Sequence, residues 1–425
     1  MDSLRNVLAA GVLLLAPAAS WAVRIPLPIE GATLNITPSI QTQMMFTENG
    51  TPDGTGWATD VFARRTRLYV TGDISKYFSY YFLVDNANFG KFGNFTSRMI
   101  VQDAFASWAP TGNTGGTVVF IDAGLQFVPF TRETFTSIAS KPTVEGHPDL
   151  VRGFTAAFFP GSRSTGVQIR GWLLDKKIGF RGGVFEGQRA TAATNRVNPF
   201  SNPLIAGFVQ YNILGTQEGA YIYQSIYFSK DPLLSIGVSG AYQSRALTVP
   251  KGITDEKGLT GIVFLEYPFS EEQELIAQFE PYAYGNGSGS KDTGFGWSAD
   301  LAFRFKWIKP YVSYETFTSD DCPGDLVGAA LTACQGASGA HSADSRNFRA
   351  GFDFYINKSA NHVMLEFSIN HGQSSFGPQS ITAAAAGYVP LSLDPLVAGG
   401  PRRPINTLLA SPAQRSLLLH WNVNF

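Results

Sequence analysis

The twelve residues Gln414-Arg-Ser-Leu-Leu-Leu-His-Trp-Asn-Val-Asn-Phe425 decide how this chain is read. Leu417, Leu419, Trp421, Val423 and Phe425 share one face of an extended strand, and Ser416, Leu418, His420, Asn422 and Asn424 share the other. A period of two carried to the final residue is a strand signature. In a soluble domain a closing strand that exposes such a face invites aggregation. In a membrane barrel the apolar face meets lipid and the polar face meets a wet lumen.

Segments of the same kind recur back to Thr33: 33–46, 61–73, 77–90, 98–109, 117–127, 164–174, 177–186, 203–213, 220–229, 233–244, 258–268, 273–284, 294–306, 309–318, 346–356 and 361–371. Each is about ten residues long, the length at which a tilted strand crosses a bilayer. Gly, Phe, Tyr and Thr fill them, which disfavours helix. In 361–371, Val363, Leu365, Phe367 and Ile369 oppose His362, Glu366, Ser368 and Asn370; in 294–306, Leu301, Phe303 and Phe305 oppose Asp300, Arg304 and Lys306. The expected fold is all-β, a transmembrane antiparallel β-barrel.

Turns set the count. Short connections at Asp73–Lys76, Asp175–Lys177, Ser270–Glu272, Lys306–Lys309 and Asn357–Asn361 alternate with longer ones, above all 319–345 and 372–413. Closure with both termini on one side needs an even number of strands, and with 414–425 there are seventeen candidates. Short turns also fall on the wrong side between 213 and 258. Dropping either 203–213 or 220–229 repairs both faults and leaves sixteen; promoting 151–158 gives eighteen but keeps the second fault.

Composition agrees: 44 Gly, 33 Phe, 16 Tyr and 7 Trp accompany only 15% charged residues, against about 25% in soluble proteins. A net charge of −1 gives no global basic field for nucleic acid. Arg5, the apolar run Val7–Ala16 and Ser20-Trp21-Ala22 read as a signal peptide over 1–22, leaving 23–425 as the barrel domain of an exported chain, destined for a bacterial outer membrane. Cys322 and Cys334 are either one loop disulfide, stabilising by about 3 kcal/mol, or free thiols. No Cys/His grouping has metal-site spacing, and no cofactor motif is present. The histidines at 147, 341, 362, 371 and 420 are dispersed, and no serine sits in a nucleophile-elbow setting, so enzyme readings are set aside. Tyr221, Tyr223, Tyr227 and Trp421 are expected in the interfacial girdle.

The connection of about 128–160 is too long for a turn. Its Phe130, Arg132, Glu133, Lys141 and Arg152 mix aromatic and charged groups as a loop folded into the lumen would. Alternation turns Arg65, Arg67, Arg170, Arg181, Arg304 and Arg349 inward as candidate pore and anion contacts, since guanidinium groups offer bidentate sites to oxyanions. The inward faces also carry Asp85, Asp300, Asp353 and Glu366, so Arg–acid pairing across the wall competes with an anion track.

Three stretches resemble the phosphate-selective porin O and P family: Arg64-Arg65-Thr66-Arg67-Leu68-Tyr69-Val70-Thr71-Gly72 with Tyr80–Asp85, Gly124–Ser137 with Pro129-Phe130 and Glu133, and Gly183–Gly187. The resemblance implies a sixteen-stranded, homotrimeric outer-membrane channel narrowed by the inward loop, passing small hydrophilic or anionic solutes. In phosphate-selective members lysines ring the constriction. Here Lys141 is the only lysine inside the inward loop, a departure that puts phosphate selectivity in doubt. A nonspecific or sugar-permeable pore, and a surface adhesion barrel without transport, remain as alternatives.

Overall fold

The computed structural model describes residues 23–28, 31–48, 50–51, 56–97, 99–147, 150, 163–187, 202–217, 221–249, 252–287, 293–319, 344–358, 360–372 and 414–424. Its strands are β1 (Val23–Pro26), β2 (Thr33–Thr47), β3 (Ala58–Ser75), β4 (Phe78–Phe89), β5 (Ile100–Trp108), β6 (Val118–Phe127), β7 (Arg163–Leu173), β8 (Ile178–Phe185), β9 (Leu204–Leu214), β10 (Leu233–Val249), β11 (Gly252–Ser270), β12 (Gln273–Tyr284), β13 (Gly294–Phe305), β14 (Ile308–Ser319), β15 (Ser345–Asn357), β16 (Asn361–Gly372) and β17 (Gln414–Asn424). From β2 to β17 each strand pairs antiparallel with the next, and β17 closes on β2 with Asn424 opposite Ser39. This is the expected sixteen-stranded barrel. Short β1 lies outside that count; it takes the edge of β2 from Thr33 to Ile36, just beyond the point where β17 ends.

The alternation reads out as two different surfaces. On β13, Phe295, Leu301, Phe303 and Phe305 are exposed while Ser298, Asp300, Ala302 and Arg304 are buried. On β17, Leu417 and Leu419 face out, and Ser416, Leu418, His420 and Asn422 face in. Charge inside and large apolar groups outside invert the soluble pattern and require lipid around the wall. Some inward rings lie flat across the neighbouring strand. Tyr282 is opposite Gly296 and Tyr311 opposite Gly351. A Cβ on Gly296 would sit 2.4 Å from the Tyr282 ring, and one on Gly351 would sit 2.7 Å from the Tyr311 hydroxyl, so only glycine admits the ring.

The choice left open between 203–213 and 220–229 is resolved. Segment 203–213 is β9, but 220–229 is no barrel strand. Leu214 of β9 pairs directly with Leu234 of β10, which leaves no ladder position for the residues between. Their alternation serves a different packing surface, inside the barrel. Residues 1–22, 151–158, Arg152, Cys322, Cys334 and Phe425 lie outside the described residues, as does most of 319–345 and 372–413.

Candidate functional site: a lumen crossed by two inward segments

The inward loop leaves β6 at the rim opposite the termini and is described for Val128–His147 and Leu150. Two single-turn 3-10 segments, Glu133–Phe135 and Ile138–Ser140, shape it. It is tied to the far wall by its backbone. Val144 N–H donates to Glu366 at 2.9 Å, Leu150 N–H to Glu315 at 2.8 Å, and Gly146 O accepts from Arg349. Phe130 packs on Tyr284, with ring centroids 5.8 Å apart. Lys141 and Glu133 form a buried ion pair within the loop.

A second segment enters from the other end. The connection between β9 and β10 sits at the rim carrying the termini, and its residues 221–227 rise into the lumen. The two segments meet in a short parallel bridge between Thr136 and Tyr223. Ser137 N–H donates to Tyr223 O at 2.7 Å, Tyr223 N–H to Phe135 O at 2.8 Å, and Ser225 N–H to Ser140 Oγ at 2.9 Å. Glu266 holds the base by accepting from Tyr227 N–H at 2.7 Å and Ser229 N–H at 2.8 Å. A cavity of about 410 Å³ beside this base is lined by Lys177, Gly215, Thr216, Tyr227, Ser229, Asp231 and Leu233.

The tyrosines expected in the membrane girdle are therefore in the lumen. Tyr221 packs against Tyr81, Phe105 and Phe127 at 4.5–5.3 Å, and its hydroxyl donates to Asp103 at 2.8 Å. Tyr223 stacks on Trp172 at 5.9 Å and meets Phe135 edge-on at 5.1 Å. Half-buried Trp421 does share the outward face with Leu417 and Leu419.

All six singled-out wall arginines project inward, and most meet acids. Arg67 pairs with Asp85 at 3.0 Å, Arg170 with Asp122 at 2.5 Å, Arg304 with Glu274, and Arg349 with Glu315 at 3.8 Å. Arg65 donates to Gln41 at 2.9 Å and reaches Glu145 of the loop at 3.3 Å. Arg181 is different: it donates to Tyr221 O at 2.7 Å and lies 4.2 Å above the Phe135 ring. Arg132 of the loop resembles it, held by Gln278 at 2.9 Å, Gln217 at 3.0 Å and Gln224 O at 2.6 Å, over the Phe264 ring at 4.0 Å. Neither has a carboxylate within ion-pair distance among the described residues. Arg132 Nε and Arg181 Nη1 are buried without a hydrogen-bond partner.

Three groups lay outside the pore and constriction candidates read from sequence. A β-bulge between Gln41 and Thr42 leaves Arg64 as an extra residue, so Arg64 and Arg65 both face the lumen. Strict alternation would have turned Arg64 to lipid. Arg64 grips Glu145 in bidentate fashion, at 2.6 and 2.7 Å. Burial opposes the charge on Glu145, but Arg64 and Arg65 outweigh it and hold the carboxyl well below its usual range. His147 pairs with Asp300 at 2.9 Å; burial pushes its pKa down, yet Asp300, Glu315 and Glu133 raise it to about 9.

The chemistry on offer is constriction and ion pairing. Gln210, Glu315 and Asn422 on the wall are fully buried at 0% exposure, and the inward loop covers Glu315 through Leu150 N–H. Among the described residues no His/Cys/Asp/Glu group could hold a metal ion.

No family model matches the chain, and no curated protein sequence does. Solved structures do match in fold. The anion-selective porin of Comamonas acidovorans is 14% identical over 93% of this chain and 100% of its own, with a TM-score of 0.53. OmpF of Salmonella typhi, in complex with daunomycin, is 12% identical over 95% and 100%, with a TM-score of 0.54. The outer membrane channel DcaP of Acinetobacter baumannii is 11% identical over 93% and 98%, with a TM-score of 0.52. At such identities the likeness establishes architecture alone, and the architecture is that of the outer-membrane porins.

Proposed function

We propose that the chain is a gated passive-diffusion channel of a bacterial outer membrane, exported with residues 1–22 removed and assembled as a homotrimer. The observation that carries the reading is the lumen itself, a charged inner wall crossed, among the described residues, by two connections held by hydrogen bonds. Such connections rearrange far more readily than a wall strand. An anion preference is supported by Arg132 and Arg181, buried guanidinium groups with no carboxylate at ion-pair distance among the described residues and one nitrogen each without a hydrogen-bond partner; a fold relative is named as anion-selective. Phosphate, the cargo implied by the porin O and P resemblance, gains no support from Lys141, which Glu133 neutralises. The filled lumen favours one other reading, a surface barrel without transport.

Planar-bilayer recording on the purified chain separates these. Under a potassium chloride gradient the reversal potential is expected to report chloride as the more permeant ion. A potassium-selective pore refutes the anion preference, and silence at all voltages refutes the channel.

A further inference from the structure

We infer that residues 221–227 act as an intramolecular stand-in for a solute, occupying a binding site for aromatic carboxylates built by Arg132, Arg181 and the rings around them. The inference rests on the channel reading above and names the solute class and the gate.

Two features define the site. The first is charge with no carboxylate at ion-pair distance among the described residues. Arg163 and Arg170 are neutralised by Asp103 and Asp122, whereas Arg132 and Arg181 are met by neutral acceptors. Peptide carbonyls fill the places a carboxylate would take: Tyr221 O on Arg181 at 2.7 Å and Gln224 O on Arg132 at 2.6 Å. Each guanidinium keeps one buried nitrogen without a hydrogen-bond partner, Nε in Arg132 and Nη1 in Arg181. A buried cation met only by neutral acceptors and ring faces gains from exchange for a carboxylate, which brings opposite charge and two acceptor oxygens.

The second feature is a slot for a ring. Tyr223 lies between Trp172, near-parallel at 16° and 5.9 Å, and the edge of Phe135 at 5.1 Å. Both arginines address that ring, Arg181 at 5.0 Å and Arg132 at 5.6 Å from its centroid. Withdrawal of the segment would vacate an aromatic slot beside two guanidinium groups. An aryl carboxylate fits both halves. An aliphatic carboxylate satisfies the charge and leaves the slot empty, and a neutral aryl amide does the reverse. The segment's mid-lumen backbone ties to Phe135, Ser137 and Ser140 are single hydrogen bonds, and the ring contacts that leave with Tyr223 are those an entering aryl group restores.

The test uses the full chain in liposomes, comparing entry of benzoate, acetate and benzamide at equal concentration. Trp172 emission is isolated as the difference between wild type and Trp172→Phe. Benzoate is expected to enter at least fivefold faster than either control and to change Trp172 emission saturably, as Tyr223 leaves its partner. Arg181→Gln and Arg132→Gln should each bring the ratio within twofold, with folding checked by heat-modifiable gel mobility. Should Arg181→Gln fail to fold, the loop variant Arg132→Gln carries the test. Equal entry of benzoate and acetate, or a ratio that survives both substitutions, overturns the inference while leaving a channel. No entry of any solute, in wild type or in Tyr223→Ala, removes the channel reading with it.

Discussion

Glu145→Gln should loosen the inward loop. Glu145 accepts two hydrogen bonds from Arg64, one from Gln43 at 2.7 Å and one from Arg65 at 3.3 Å. The isosteric amide keeps one acceptor oxygen and the packing, but leaves two adjacent guanidinium groups without their counter-charge. Removing one member of a buried pair costs about 3–5 kcal/mol. The side chains of Arg64 and Glu145 retain 11% and 19% exposure, which places the effect at the low end, about 3 kcal/mol. At about 1.4 kcal/mol per tenfold, the docking equilibrium moves by roughly a hundredfold. Hydrogen exchange reads this at the Val144 and Gly146 amides, which donate to Glu366 and Thr143. Their protection should fall by about two orders of magnitude, and channel current should become larger and noisier. Protection within threefold of wild type would refute the clamp. A double substitution with Arg64→Gln should recover part of the loss, since it removes a stranded cation.

His147 supplies a pH window. Its folded pKa, about 9, lies above the unfolded value of about 6.5. Its contribution is therefore complete below the unfolded value and lost as pH rises through about 9; loop protection should weaken over that range, and His147→Gln should abolish the dependence. Tyr223→Ala should cost the second segment about 3–5 kcal/mol of packing and raise single-channel conductance several-fold; unchanged conductance would place the segment outside the conduction path. Gly296→Ala would force a methyl group to within 2.5 Å of Thr316 O and onto the Tyr282 ring. It should lower the melting temperature of the folded band on gels by an amount equivalent to about 1–3 kcal/mol.

The barrel was legible because its information is local. Whether Leu301 or Arg304 faces lipid depends on neighbours two residues away, and a period of two survives without knowledge of partners. The plug lacks such a code. Thr136 meets Tyr223 through backbone atoms whose identity no side chain announces, and 220–229 alternates as convincingly as β9. The signal for the second segment was the misplaced turn lengths between 213 and 258. They mark a long connection at the rim that elsewhere carries mostly short ones. Arg64 was hidden for the opposite reason, a one-residue bulge that suspends the alternation on which every other inward assignment rests.

The bridge at Thr136 and Tyr223 joins connections anchored at opposite rims. Each half leans on the other, so a push delivered from either compartment arrives at the same rung. Losing that rung removes a tie common to both halves, while each keeps its own wall anchors, the loop at Glu366 and Glu315 and the second segment at Glu266. A channel wired in this way would answer to solute on one side and to protein, voltage or pH on the other without a separate sensor for each.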